Sequence, residues 1–146
     1  MTVDRDSSVQ DVGRWVSLIL RLAMAALFFS AAVSKLKGGT ASIAGTVQFF
    51  RTTFENTWLP GPLVTLHAYL TPFVEALLVI WLLTGFRLPA AWGGTALYMI
   101  TLAFGMSVAG KHDVAAHNFN YVLICCVGLY VSRFDRLRVD TRGGGA

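Results

Sequence analysis

Apolar residues run along this chain in four long blocks, each broken by very few polar positions: Val16 to Val33, Leu63 to Leu83, Leu88 to Val108 and Ala115 to Val131. Each block is close to the ~20 residues that a helix needs to cross ~30 Å of hydrocarbon, so the pattern predicts four membrane-spanning helices. One further pattern lies in the long connection after the first block. There Ile43, Val47, Phe50 and Phe54 recur at helical spacing until Pro60 and Pro62 break it, which predicts a short amphipathic helix on, or dipping into, the outer leaflet. The expected fold is an all-α, four-helix transmembrane bundle with that extra helix in its first outer loop. Residues 1–14 form a polar N-terminal segment, 15–132 the membrane domain, and 133–146 a basic, glycine-rich tail; both ends read as solvated segments without chemistry.

Composition agrees, because 55% of the 146 residues are hydrophobic and only 14% are charged, too few to cover a soluble globule of this size. The first block reads as a retained span rather than a cleaved signal: it is long, it carries Arg21, and Asp4, Arg5, Asp6, Asp11 and Arg14 mix both signs before it. Basic residues set the expected orientation. Arg5, Arg14, Arg87, Arg133, Arg136, Arg138 and Arg142 flank one face, and Lys35, Lys37, Arg51 and Lys111 the other, which predicts both termini in the cytoplasm. Trp15, Trp81, Trp92 and Tyr130 fit an aromatic belt at that inner face, and Trp58 the outer one. The basic pI is therefore a topology signal with attraction for anionic headgroups; without aromatic-basic interleaving it does not point to nucleic acid.

Polar residues inside the blocks carry the candidate chemistry. Arg21, Ala25, Phe28, Ala32 and Lys35 follow one stripe of the first helix; Thr71, Glu75 and Leu78 share a face of the second; Gly94, Tyr98, Thr101 and Gly105 of the third; Asn118, Tyr121, Cys125, Gly128 and Ser132 of the fourth. Convergence of the four stripes predicts a polar bundle interior. Glu75 lies near mid-membrane and needs a partner, and Arg21, the cation set inside an apolar run, is the expected one. These groups either serve a function or hold the helices together through hydrogen bonds.

Lys35, His67, Lys111, His112, Asp113 and His117 are expected at the outer mouth. Their lysines and the five-residue spacing of His112 and His117 argue against a metal, and a proton relay is one reading of the histidines. Cys125 and Cys126 are vicinal, with no C-x-x-C pattern, and read as small buried hydrophobes. No haem, flavin or iron–sulfur ligand pattern is present.

The stretch "LRLAMAALFFSAAVSKL", with an arginine opening the helix and K-L closing it, resembles the first span of the DoxX family. "LPGPLVTLHAYLTPFVEALLVIWLLTGFRLPAAWGG" resembles that family's second signature, and "HNFNY" falls where the family often has Asn or Asp. The likeness runs from Leu18 to Val131, with Arg21, Lys35 and Glu75 on the matching charged positions; Ala32 stands where the family tends to have Gly, and the first outer loop is long. The resemblance implies a multi-pass protein of the bacterial inner membrane, in a group that includes the small membrane subunit of thiosulfate:quinone oxidoreductase and proteins of redox-stress complexes.

On that basis the first expectation is a subunit of a quinone-linked oxidoreductase, its interior binding or gating quinone through Arg21, Lys35, Glu75, His117, Asn118 and Tyr121, and a protein partner carrying any tightly bound cofactor. The alternatives are a non-enzymatic membrane scaffold or assembly protein, alone or as a homo-oligomer, and a small transporter.

Overall fold

The computed structural model describes residues 3–135, with side chains from residue 8 onward. Within them lie α1 (Val3–Leu36), α2 (Gly39–Phe54), α3 (Gly61–Thr84), α4 (Leu88–Val108), α5 (His112–Val131) and a closing 3-10 turn, Ser132–Phe134. Four of these helices are long and apolar enough to cross a membrane: Ser8–Leu36 of α1, α3, α4, and α5 extended to Phe134. The predicted all-α fold class and its four spans are thus observed, and the chain is a multi-pass membrane protein.

The ends depart from expectation. The segment before Trp15 is helical from Val3 and continuous with the first span, while Asp135, assigned to a solvated tail, is buried. The remainder of that tail, residues 136–146, lies outside the described residues.

Short links make neighbours antiparallel. Gly85, at φ 66°, ends α3 in the left-handed conformation, and its N–H closes on Trp81 O; three residues later α4 begins with Pro89 in its first turn. The most extensive packing joins α4 to α5 and α1 to α3, whereas the backbones of the sequential pair α3 and α4 come together far less. Leu78 and Leu82 of α3, Met24 and Phe28 of α1, and Trp92 and Met99 of α4 fill the central core.

The expected stripes face inward except at Thr101, which is exposed. Arg21, Ala25, Phe28, Ala32, Thr71, Glu75, Leu78, Tyr98, Cys125, Gly128 and Ser132 are buried, and Lys35, Asn118 and Tyr121 are half-buried. Trp92 is a correction: it is fully buried against Gly128 rather than set in an interfacial belt. Cys126, read as a small buried hydrophobe, is exposed; Cys125 is buried. α2 forms where predicted and lays Phe50 and Phe54 against Val64 and Ala68 of α3.

Candidate functional site

Two buried charge clusters sit at different levels of the bundle. At the end of the bundle where α3 gives way to α4, Arg21 is only 4% exposed; its Nε donates to Leu82 O at 2.9 Å, one terminal nitrogen donates to Leu83 O at 2.9 Å, and the other to Asp135 Oδ2 at 2.8 Å. Ser17 Oγ donates to the same carboxylate oxygen at 2.9 Å. Leu82 and Leu83 occupy the last turn of α3, whose carbonyls have no helical donors, so the guanidinium satisfies two of them at the negative end of the helix dipole. The expected Arg21–Glu75 pair does not form; Asp135 is the counter-charge.

The second cluster lies about 21 Å further along α1, fourteen residues at ~1.5 Å each. Lys35 Nζ donates to both oxygens of Glu75, at 2.5 and 2.7 Å, and Tyr98 Oη donates to Oε1 at 3.4 Å. Glu75 is buried, and the Lys35 side chain keeps about a quarter of its surface exposed. The ammonium and the phenol together give the buried carboxylate three hydrogen bonds, which offset its removal from water.

From Tyr98 the polar line continues to His67, whose ring stacks on the tyrosine at 6.4 Å between centroids and 26° between planes. The other neighbour of His67 is Phe50 of α2, at 5.9 Å. No hydrogen bond to the imidazole nitrogens is present among the described residues.

The loose contact between α3 and α4 opens this line to a crevice. One part, about 300 Å³, is lined by His67, Leu70, Thr71, Val74, Gly94, Leu97, Tyr98 and Thr101. The other, about 270 Å³, lies beneath α2 between Phe50, Phe54, Leu63, His67, Thr101 and Met106. His67 and Thr101 belong to both. The crevice is apolar apart from a histidine, a phenol and two threonines, the composition of a small-ligand site with few orienting polar groups.

Of the residues expected to act together, the structure brings Lys35 and Glu75 together, and separates Arg21 from them. His117 is exposed on α5, with Nδ1 at 2.8 Å from Asp113 O. Asn118 and Tyr121 are half-buried and make no side-chain hydrogen bond among the described residues. The expected outer cluster is dispersed as well: Lys111 lies over the Phe49 ring, at 5.5 Å, His112 and Asp113 are exposed, and His67 is in the crevice. No group of three His, Cys, Asp or Glu side chains able to hold a metal occurs among the described residues.

Sequence reasoning placed His67 in the wrong company and overlooked Asp135. The available signal for Asp135 was its position as the acid nearest the end of the fourth span, within "SRFDRLR".

Residues 13–117, well over half of the chain, match the sequence profile of MauE, described as methylamine utilisation protein MauE. The resemblance to DoxX is overturned by this match, since no DoxX profile is matched; it rested on a few charged anchors in apolar helices, which discriminate poorly. No curated protein and no solved structure matches the chain.

Proposed function

The chain belongs to the MauE family of membrane proteins, and from that premise we propose that it is a membrane accessory protein of methylamine utilisation whose α3–α4 crevice takes the headgroup of a lipid-soluble quinone. The observation that carries the reading is the meeting of an apolar, ring-sized crevice with the polar line His67–Tyr98–Glu75–Lys35. A quinone carbonyl needs a hydrogen-bond donor at its own depth, and the imidazole N–H of His67 is the donor nearest the crevice; the Tyr98 hydroxyl gives its one proton to Glu75 and keeps the phenol ring in place beside the histidine. Flat rings of Phe50 and Tyr98 flank the histidine and suit a planar ligand. Glu75 and Lys35 then act from behind, holding the phenol in place. Any redox cofactor of the system resides on a protein partner, and the membrane is the bacterial plasma membrane with both termini cytoplasmic.

A second reading, an assembly scaffold without ligand, is favoured by one observation: Arg21 and Glu75 are both paired, so each charge has a sufficient structural role. Titrating the protein in lipid nanodiscs with a short-chain quinone analogue separates the two. His67→Leu is expected to weaken binding about tenfold, the worth of a lost hydrogen bond, with unchanged thermal stability; Tyr98→Phe, which also strips a hydrogen bond from buried Glu75, is expected to weaken binding and lower thermal stability together, while His117→Gln and Asn118→Leu leave affinity unchanged. If the intact protein binds no analogue, or all four variants bind alike, the scaffold reading stands.

A further inference from the structure

The face that α5 turns away from the bundle differs from the other lipid-facing surfaces. Along α3 that surface is mainly aliphatic and aromatic, with Leu63, Leu66, Phe73, Leu77 and Ile80 exposed and Tyr69 the one phenol among them. Along α5 the exposed positions Ala116, Asn120, Leu123, Val127 and Tyr130 advance in steps of four, three, four and three, the spacing of a left-handed helix–helix seam. Leu123, Val127 and Tyr130 are 65%, 49% and 63% exposed.

Asn120 is the anomaly. It lies about 12 Å, eight residues, from the outer end of α5, within the hydrocarbon depth, and its amide is exposed and makes no hydrogen bond among the described residues. Lipid supplies no partner for an amide, so leaving it bare is costly. A carboxamide is its own complement, one donor face and one acceptor face, and two asparagines related by a two-fold axis along the membrane normal satisfy each other.

The neighbouring identities point the same way. With Asn120 and Val127 at the first core position of the heptad and Leu123 at the second, the seam has the β-branched, Leu and single-Asn arrangement that selects paired parallel helices and locks their register. Ala116, one turn toward the outer surface, lets the backbones approach closely.

We propose that α5 forms a symmetric two-stranded interface with the α5 of a second copy of this chain, locked by an Asn120–Asn120 hydrogen-bonded pair. No residue of the seam lines the crevice, and the interface stands whether or not the crevice binds quinone.

The test uses full-length protein in liposomes at low protein-to-lipid ratio. In a Cys125→Ala, Cys126→Ala background, single cysteines at Leu123 and Val127 are expected to oxidise to disulfide-linked dimers at least about ten times faster than cysteines at Leu129 or Leu77, which face other directions. In parallel, energy transfer between labelled copies is expected to show Asn120→Leu raising the dissociation constant about tenfold, the size of one or two interhelical hydrogen bonds, and Asn120→Gln retaining most of the association. Equal cross-linking at all four positions, a monomer at every dilution, or an Asn120→Leu variant as dimeric as the original chain overturns the proposal.

Discussion

Buried charges in this protein are placed by the carbonyls and carboxylates that receive them. Arg21 combines two helix-end carbonyls with Asp135, and Lys35 combines with both oxygens of Glu75. Removing one partner from such a pair leaves an uncompensated buried charge, so Glu75→Gln and Asp135→Asn are each expected to destabilise the folded protein by about 3 to 5 kcal/mol, with Glu75→Gln at the lower end because Lys35 keeps some solvent contact. Reversible unfolding in mild detergent measures this. Double-mutant cycles then separate the pairs: Arg21 should couple to Asp135, and its coupling to Glu75 should fall within the ~0.5 kcal/mol of independent sites. A strong Arg21–Glu75 coupling would contradict the observed partners.

At the level of elements, glycines decide which helices approach. A Cβ on Gly128 would lie 2.4 Å from the Trp92 ring, and one on Gly13 would lie 2.7 Å from Phe134. The first contact sets the α4–α5 hairpin and the second ties the start of α1 to the turn that follows α5, which is how Asp135 comes to Ser17 and Arg21. Gly128→Ala is therefore expected to cost about 1 to 3 kcal/mol by overpacking a fully buried tryptophan, read as a lower unfolding midpoint, whereas Gly93→Ala, with nothing near its Cβ, should leave the midpoint unchanged or higher. α2 contributes differently. Only Phe50 and Phe54 are buried on it, so it covers the crevice through a narrow contact.

Taken whole, the molecule is a pair of tightly packed helix couples, α1 with α3 and α4 with α5, joined more loosely through α3 on α4 and α1 on α5 and the turn after it. The crevice is the consequence of that looseness. The arginine-rich end that holds Arg14, Arg87 and Arg133 predicts an orientation with that end in the cytoplasm. An alkaline phosphatase reporter fused after Asn56, in the link between α2 and α3, is expected to be active in the periplasm, and one after Ala146 inactive. The reverse result would place the crevice beneath α2 on the cytoplasmic side.

The sequence by itself determined the four spans, the amphipathic α2 and the inward faces of Arg21, Glu75, Tyr98 and Cys125, because apolar length and helical periodicity are local properties that hydrocarbon enforces residue by residue. Partner choice was not local. Arg21 and Lys35 share one stripe of α1, and which of them meets Glu75 depends on the axial register of α1 against α3. That register is set by where the long α1 packs against the end of α3 and the turn after α5, contacts between residues more than sixty positions apart. Arg21 was the expected partner of Glu75 as the cation set inside an apolar run; the packed helices bring Lys35 there instead, and leave Arg21 to the carbonyls at the end of α3, since only the tertiary structure brings those carbonyls and Asp135 within its reach.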